Sequence, residues 1–112
     1  MPYTGGMRTV AETEIFMKYA AGILNDIERN EFISWIASNP EAGDVIPGSG
    51  GCRKVRWSRQ GTGKRGGTRV IYFLAQETTI WLLIAYTKSK FDNLPAGFLQ
   101  RLKVEVEHAI RD

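Results

Sequence analysis

Two stretches in the N-terminal half of the chain place apolar residues at helical spacing. Thr13 can cap the first helix, and its apolar residues Ile15, Phe16, Tyr19 and Ile23 recur at helical spacing. Asn25 followed by Glu28 fits the capping box that opens a second helix, and Asn39-Pro40 ends it. The pattern therefore predicts a helical hairpin that lies across one face of a sheet.

The pattern changes to alternation in the middle of the chain. Residues 52–58 place Val55 and Trp57 on one side of a strand. The opposite side carries polar and cationic residues, namely Lys54, Arg56 and Ser58. This segment predicts a strand with one face in the core and a cationic face outside.

Two longer apolar runs, residues 68–75 and 79–86, are rich in β-branched and aromatic residues and predict central strands joined by a turn at residues 76–78. Residues 7–11 give a weaker strand signal, and residues 41–51 form a turn-rich loop. Pro95 opens a last helix with a stripe formed by Leu99, Leu102, Val106 and Ala109. The order β, α, α, three β, α predicts one α+β domain over residues 1–112, with an antiparallel sheet and a disordered leader at 1–6.

The cations of this chain are concentrated in one segment. Seven lie between residues 53 and 69: Arg53, Lys54, Arg56, Arg59, Lys64, Arg65 and Arg69. No Asp or Glu occurs from Val45 to Gln76, and the whole chain has 15 Lys and Arg against 12 Asp and Glu, so the remainder is net acidic. A positive patch on an acidic body favours binding of a polyanion such as a phosphate backbone.

Other features narrow the class of protein. Cys52 is the only cysteine, so the chain forms no internal disulfide and has no Cys pair for zinc. The N-terminus lacks the pattern of a secretory signal, and no segment has the roughly 20 apolar residues of a membrane span. These observations predict a cytoplasmic protein with no metal, no cofactor and no membrane partner.

Three motifs together resemble the RelE/HigB superfamily of toxins from type II toxin–antitoxin systems. They read Gly-Gly-x-Arg-Lys-x-Arg at residues 50–56, Gly-x-Gly-Lys-Arg-Gly-Gly-x-Arg-Val-Ile-Tyr-Phe at 61–73, and Leu-Leu-x-x-Tyr-x-Lys at 82–88. The resemblance runs from about Ile15 to the C-terminus and is closest to the HigB-like branch.

The resemblance implies a RelE-like fold and a toxin that cuts mRNA on the ribosome without a metal, so that translation is inhibited. It also implies a cognate antitoxin, a small helix-turn-helix protein encoded beside the toxin. Two alternatives stay open: a ParE-like inhibitor of DNA gyrase, which shares the fold without cutting RNA, and a basic RNA-binding module without catalysis.

The family motifs fall on cations that metal-free RNA cleavage can use. Arg69 is the first candidate, for stabilising the phosphorane by a forked contact, and repulsion by neighbouring cations favours a neutral Lys54 that acts as base. The complete catalytic set is Arg69, Lys54, Arg56 and Lys88. The predicted RNA-binding set is Arg53, Arg59, Lys64, Arg65, Tyr72, Tyr86 and Lys90. The donor of a proton to the leaving group is not assigned, and His108 is predicted to be a surface residue of the last helix.

Overall fold

The computed structural model describes residues 8–57, 67–88, 90 and 93–111. Eight elements follow one another along the chain. They are β1 (Thr9–Glu12), α1 (Glu14–Ala20), α2 (Asp26–Ser38), β2 (Asp44–Val45), β3 (Arg53–Trp57), β4 (Thr68–Ala75), β5 (Thr79–Thr87) and α3 (Ala96–Arg111). The predicted α+β class is confirmed, while the predicted leader lies outside the described residues.

The five strands form one mixed sheet in the order β1-β5-β4-β3-β2. Strands β2 to β5 pair antiparallel, as predicted, but β1 pairs parallel with β5, so the prediction of a purely antiparallel sheet was wrong. Parallel neighbours need a long connection, and here the chain between β1 and β5 contains both N-terminal helices and three strands. Strand β2 was also missed, because two residues are too short to show an alternation.

Both predicted helix caps are present. The Thr13 side chain accepts a hydrogen bond from the Phe16 N–H, and Asn25 forms a capping box with Glu28. Thr13 also donates its hydroxyl to the Leu82 carbonyl at 2.9 Å. This contact fixes the start of α1 against β5, next to the point where the β4–β5 register shifts.

Two apolar clusters cover the two faces of the sheet. Phe32 and Ile36 of α2 pack with Val55, Val70 and Tyr72 on one face. The other face is covered by α3, whose Leu99 and Leu102 pack against a set of strand residues that includes Cys52, Ile71, Phe73, Ile84 and Tyr86. Helix α1 contributes to both clusters, so the hairpin is not confined to one face as the apolar spacing had suggested.

Trp57 lies on the apolar face of β3, which packs against α2. Its ring centroid lies 5.4 Å from that of Phe32 and 5.2 Å from that of Trp35. The apolar face of β3 is therefore held by aromatic packing against α2. Lys54 and Arg56 are consequently directed to the opposite face of the sheet, the face of α3.

No helix within the described ranges combines the length and the apolar character that crossing a membrane requires.

Candidate nucleic-acid interface

Three polar side chains form a row across the central strands. Arg56 of β3 is the direct partner of Arg69 of β4, and Arg69 is the direct partner of Tyr86 of β5. Directly paired residues of an antiparallel sheet have Cβ atoms about 5 Å apart and point to the same face. The row thus places two arginines and a tyrosine on neighbouring positions of one face of the sheet, the face that α3 covers further along.

The direct pairing of Arg56 with Arg69 concentrates positive charge at one point of the sheet, since like charges directly opposite each other repel. An anion between the two side chains is attracted to both guanidinium groups, and this attraction can outweigh their mutual repulsion. A phosphate oxygen pair suits the site because two arginines can hold it by forked hydrogen bonds.

Arg69 is the most buried cation of the row, with 9% of its surface exposed. It is the second residue of β4, and its Nη1 donates to the Gly67 carbonyl at 2.8 Å. Arg69 therefore lies near the start of β4, at one end of the sheet. The Gly67 contact orients the guanidinium before any ligand arrives, as electrostatic stabilisation of a transition state requires.

Tyr86 is 2% exposed and lies beside Arg69. Burial raises the pKa of its phenol, and the nearby Arg69 cation opposes this shift only in part. Tyr86 therefore keeps its proton at neutral pH and is able to donate a hydrogen bond. Tyr86 was predicted to bind RNA, but its almost complete burial does not suit stacking of its ring face on a base.

Lys54 lies on the same strand face as Arg56, two residues before it. Its Nζ donates to Asn93 Oδ1 at 3.3 Å, which joins the segment before α3 to the cationic row. Asn93 was not among the predicted site residues. An exposed Asn in a turn-like segment carries no pattern that distinguishes a site contact from an ordinary loop residue.

Arg53 and Tyr72 belong to the opposite face. Arg53 Nη1 donates to the Gly43 carbonyl at 2.6 Å. Tyr72 is fully buried, donates its hydroxyl to the Pro40 carbonyl at 2.8 Å and accepts from the Gly43 N–H at 2.9 Å. Burial also raises the pKa of the Tyr72 phenol. Both side chains hold the segment before β2 against the sheet, and these positions do not suit the predicted contacts with RNA.

The remaining predicted cations divide into two groups. Lys88 and Lys90 are exposed just after β5, and the Lys90 N–H donates to the Thr87 carbonyl at 3.0 Å. Because Thr87 pairs with Thr68, both lysines follow the same end of the sheet at which Arg69 lies. Arg59, Lys64 and Arg65 lie outside the described residues, between β3 and β4.

Two other reactive side chains are placed away from the row. Cys52 is fully buried, and burial raises the pKa of its thiol, which fits a packed residue and not a nucleophile. His108 is exposed on α3, as predicted. Among the residues that the structure describes, no three His, Cys, Asp or Glu side chains group in a way that could hold a metal ion.

No model of a known protein family matches the chain. The row and Lys54 can bind a phosphate diester, neutralise added negative charge on it, and exchange a proton through an amine or a phenol.

Proposed function

We propose that this chain is the toxin component of a toxin–antitoxin system, a ribosome-dependent mRNA endonuclease with a RelE-like fold of the HigB-like branch. The observation that carries the proposal is the direct pairing of Arg56 with Arg69 on the sheet, beside the protonated Tyr86. Two arginines on directly paired positions attract a phosphate from both sides. The motif resemblance supports an RNA phosphate as that anion.

In the proposed reaction the 2′-hydroxyl of a message nucleotide attacks the adjacent phosphorus. Lys54 acts as the base that takes the hydroxyl proton, and Arg69 and Arg56 stabilise the negative phosphorane. The 5′-oxygen takes up one proton from solvent and Lys54 returns its proton to solvent, so the reaction neither consumes nor releases protons overall. The products are a 2′,3′-cyclic phosphate and a 5′-hydroxyl, and Lys88 adds positive potential at the same end of the sheet.

The proposed partners follow from the motifs and the charge. The ribosome and its message supply the polyanion, and a cognate helix-turn-helix antitoxin restrains the toxin in the cytoplasm. A basic surface of this kind raises the association rate with RNA through long-range attraction.

Expression of the chain alone in bacterial cells tests the proposal. We expect growth arrest and messages truncated within coding regions, whereas a variant with both Lys54→Ala and Arg56→Ala leaves growth and messages intact. Intact messages together with a collapse of DNA supercoiling would instead support a ParE-like gyrase inhibitor. RNA binding without truncation or arrest would support a non-catalytic basic module.

A further inference from the structure

A groove of about 710 Å³ lies between the end of α1 and the end of β5. Its lining residues are Lys18, Tyr19, Gly22, Ile23, Tyr86, Thr87 and Lys90. This volume falls within the roughly 300–1,000 Å³ of typical small-molecule sites. Tyr86 belongs both to the groove and to the Arg56–Arg69–Tyr86 row, so the two features are continuous.

The lining of the groove combines two kinds of side chain. Tyr19 and Ile23 are half-buried and give it an apolar wall, whereas Lys18 and Lys90 are exposed at its rim. None of the lining residues is acidic. Flat apolar surface with cations at the edge is the combination by which proteins hold an unpaired base and its phosphate.

We infer that this groove, which we call the α1–β5 groove, holds one unpaired nucleobase of the RNA next to the phosphate bound by the Arg56–Arg69 pair. The inference rests on the proposed function, because it takes the anion at that pair to be an RNA phosphate. It adds a base-binding subsite formed by α1, an element that the cationic motifs do not include. Lys18 and Lys90 contact the phosphates on either side of the bound nucleotide.

Gly22 offers a way to fill the groove without disturbing the fold. A Cβ atom at this position would meet no atom within 4 Å, and the backbone of Gly22 is outside the left-handed region. Gly22→Leu therefore adds volume to the groove. Ala21→Leu is a matched control, since Ala21 is exposed on the adjacent position and does not line the groove.

The test measures the dissociation constant of uncleavable 2′-O-methyl hexanucleotides, with the base removed at each position in turn. For the wild-type chain and Ala21→Leu, we expect removal of one particular base to weaken binding about tenfold or more, the usual effect of losing one stacked base. For Gly22→Leu, we expect the intact hexanucleotide to bind about tenfold or more weakly than it binds the wild-type chain. Removal of the same base should then leave the dissociation constant of this variant unchanged.

The outcomes distinguish a failure of the proposed subsite from a failure of the proposed function. Equal sensitivity to base removal in wild type and Gly22→Leu overturns the subsite, and so does insensitivity of the wild type at every position. Cleavage of messages in cells is scored independently in the same variants. If the chain binds the hexanucleotide in this Gly22-dependent way but never cuts RNA, the result supports the subsite and contradicts the nuclease activity.

Discussion

Arg69→Ala is expected to lower the rate of single-turnover cleavage of a ribosome-bound message about a hundredfold, which corresponds to roughly 3 kcal/mol of lost transition-state stabilisation. The reason is that, in the proposed mechanism, Arg69 stabilises the phosphorane charge, and it is oriented by the Gly67 carbonyl and paired directly with Arg56. Sedimentation of the chain with ribosomes should change little, because the binding surface contains several other cations.

Two further variants sharpen this prediction. Arg69→Lys should also fail, since an ammonium group cannot form the planar fork on two phosphate oxygens. Arg101→Ala removes an exposed arginine of α3 and should leave cleavage unchanged. Thermal unfolding of all three variants shows whether each is folded. If Arg69→Ala lost ribosome binding and cleavage to the same extent, Arg69 would only bind phosphate. Lys54 and Arg56 would then be the remaining candidates for catalysis.

Gly43→Ala is expected to lower the free energy of unfolding by about 2 kcal/mol, within the usual range for overpacking. A Cβ atom at Gly43 would lie 2.9 Å from the backbone carbonyl carbon and oxygen of Lys54 and 3.0 Å from the Tyr72 ring. Neither neighbour can yield easily, because Lys54 belongs to β3 and the Tyr72 hydroxyl is bound on both sides. Chemical denaturation measures the change.

Gly22→Ala is the matched control for this substitution. The new methyl group meets no atom within 4 Å. The free energy of unfolding of this variant should therefore stay the same or rise slightly, because alanine lowers the conformational entropy of the unfolded chain. Because the Gly43 methyl group pushes on Lys54 itself, cleavage should also fall in Gly43→Ala. Equal stability of the two alanine variants would show that the segment before β2 does not pack tightly against β3.

The elements with strong periodicity could be predicted from the sequence. Thr13 and Asn25 marked the helix starts because capping is a local interaction, and the alternation in β3 separated the core residue Trp57 from Lys54 and Arg56. The parallel pairing of β1 could not be predicted, because it depends on how distant segments pack. Nor does a two-residue strand such as β2 carry a periodic signal.

The candidate site was predicted in part for similar reasons. Alternation within one strand cannot show which residues become partners across strands, so the direct pairing of Arg56, Arg69 and Tyr86 emerged only from the register. Charge alone placed Arg53 with the other cations, although it faces the opposite side and binds the Gly43 carbonyl. The role of Tyr72 in holding the Pro40 and Gly43 backbone likewise depends on tertiary contacts that composition does not encode.

The most direct test of the nuclease uses purified chain, ribosomes and a message in which the nucleotide at the cut site carries either ribose or 2′-deoxyribose. The account predicts that the ribose message is cut to a 2′,3′-cyclic phosphate and a 5′-hydroxyl. The 2′-deoxyribose message should still bind but remain intact at that nucleotide, because the attacking hydroxyl is missing. Cleavage of the 2′-deoxyribose message at the same nucleotide, or no cleavage of either message, would contradict the account.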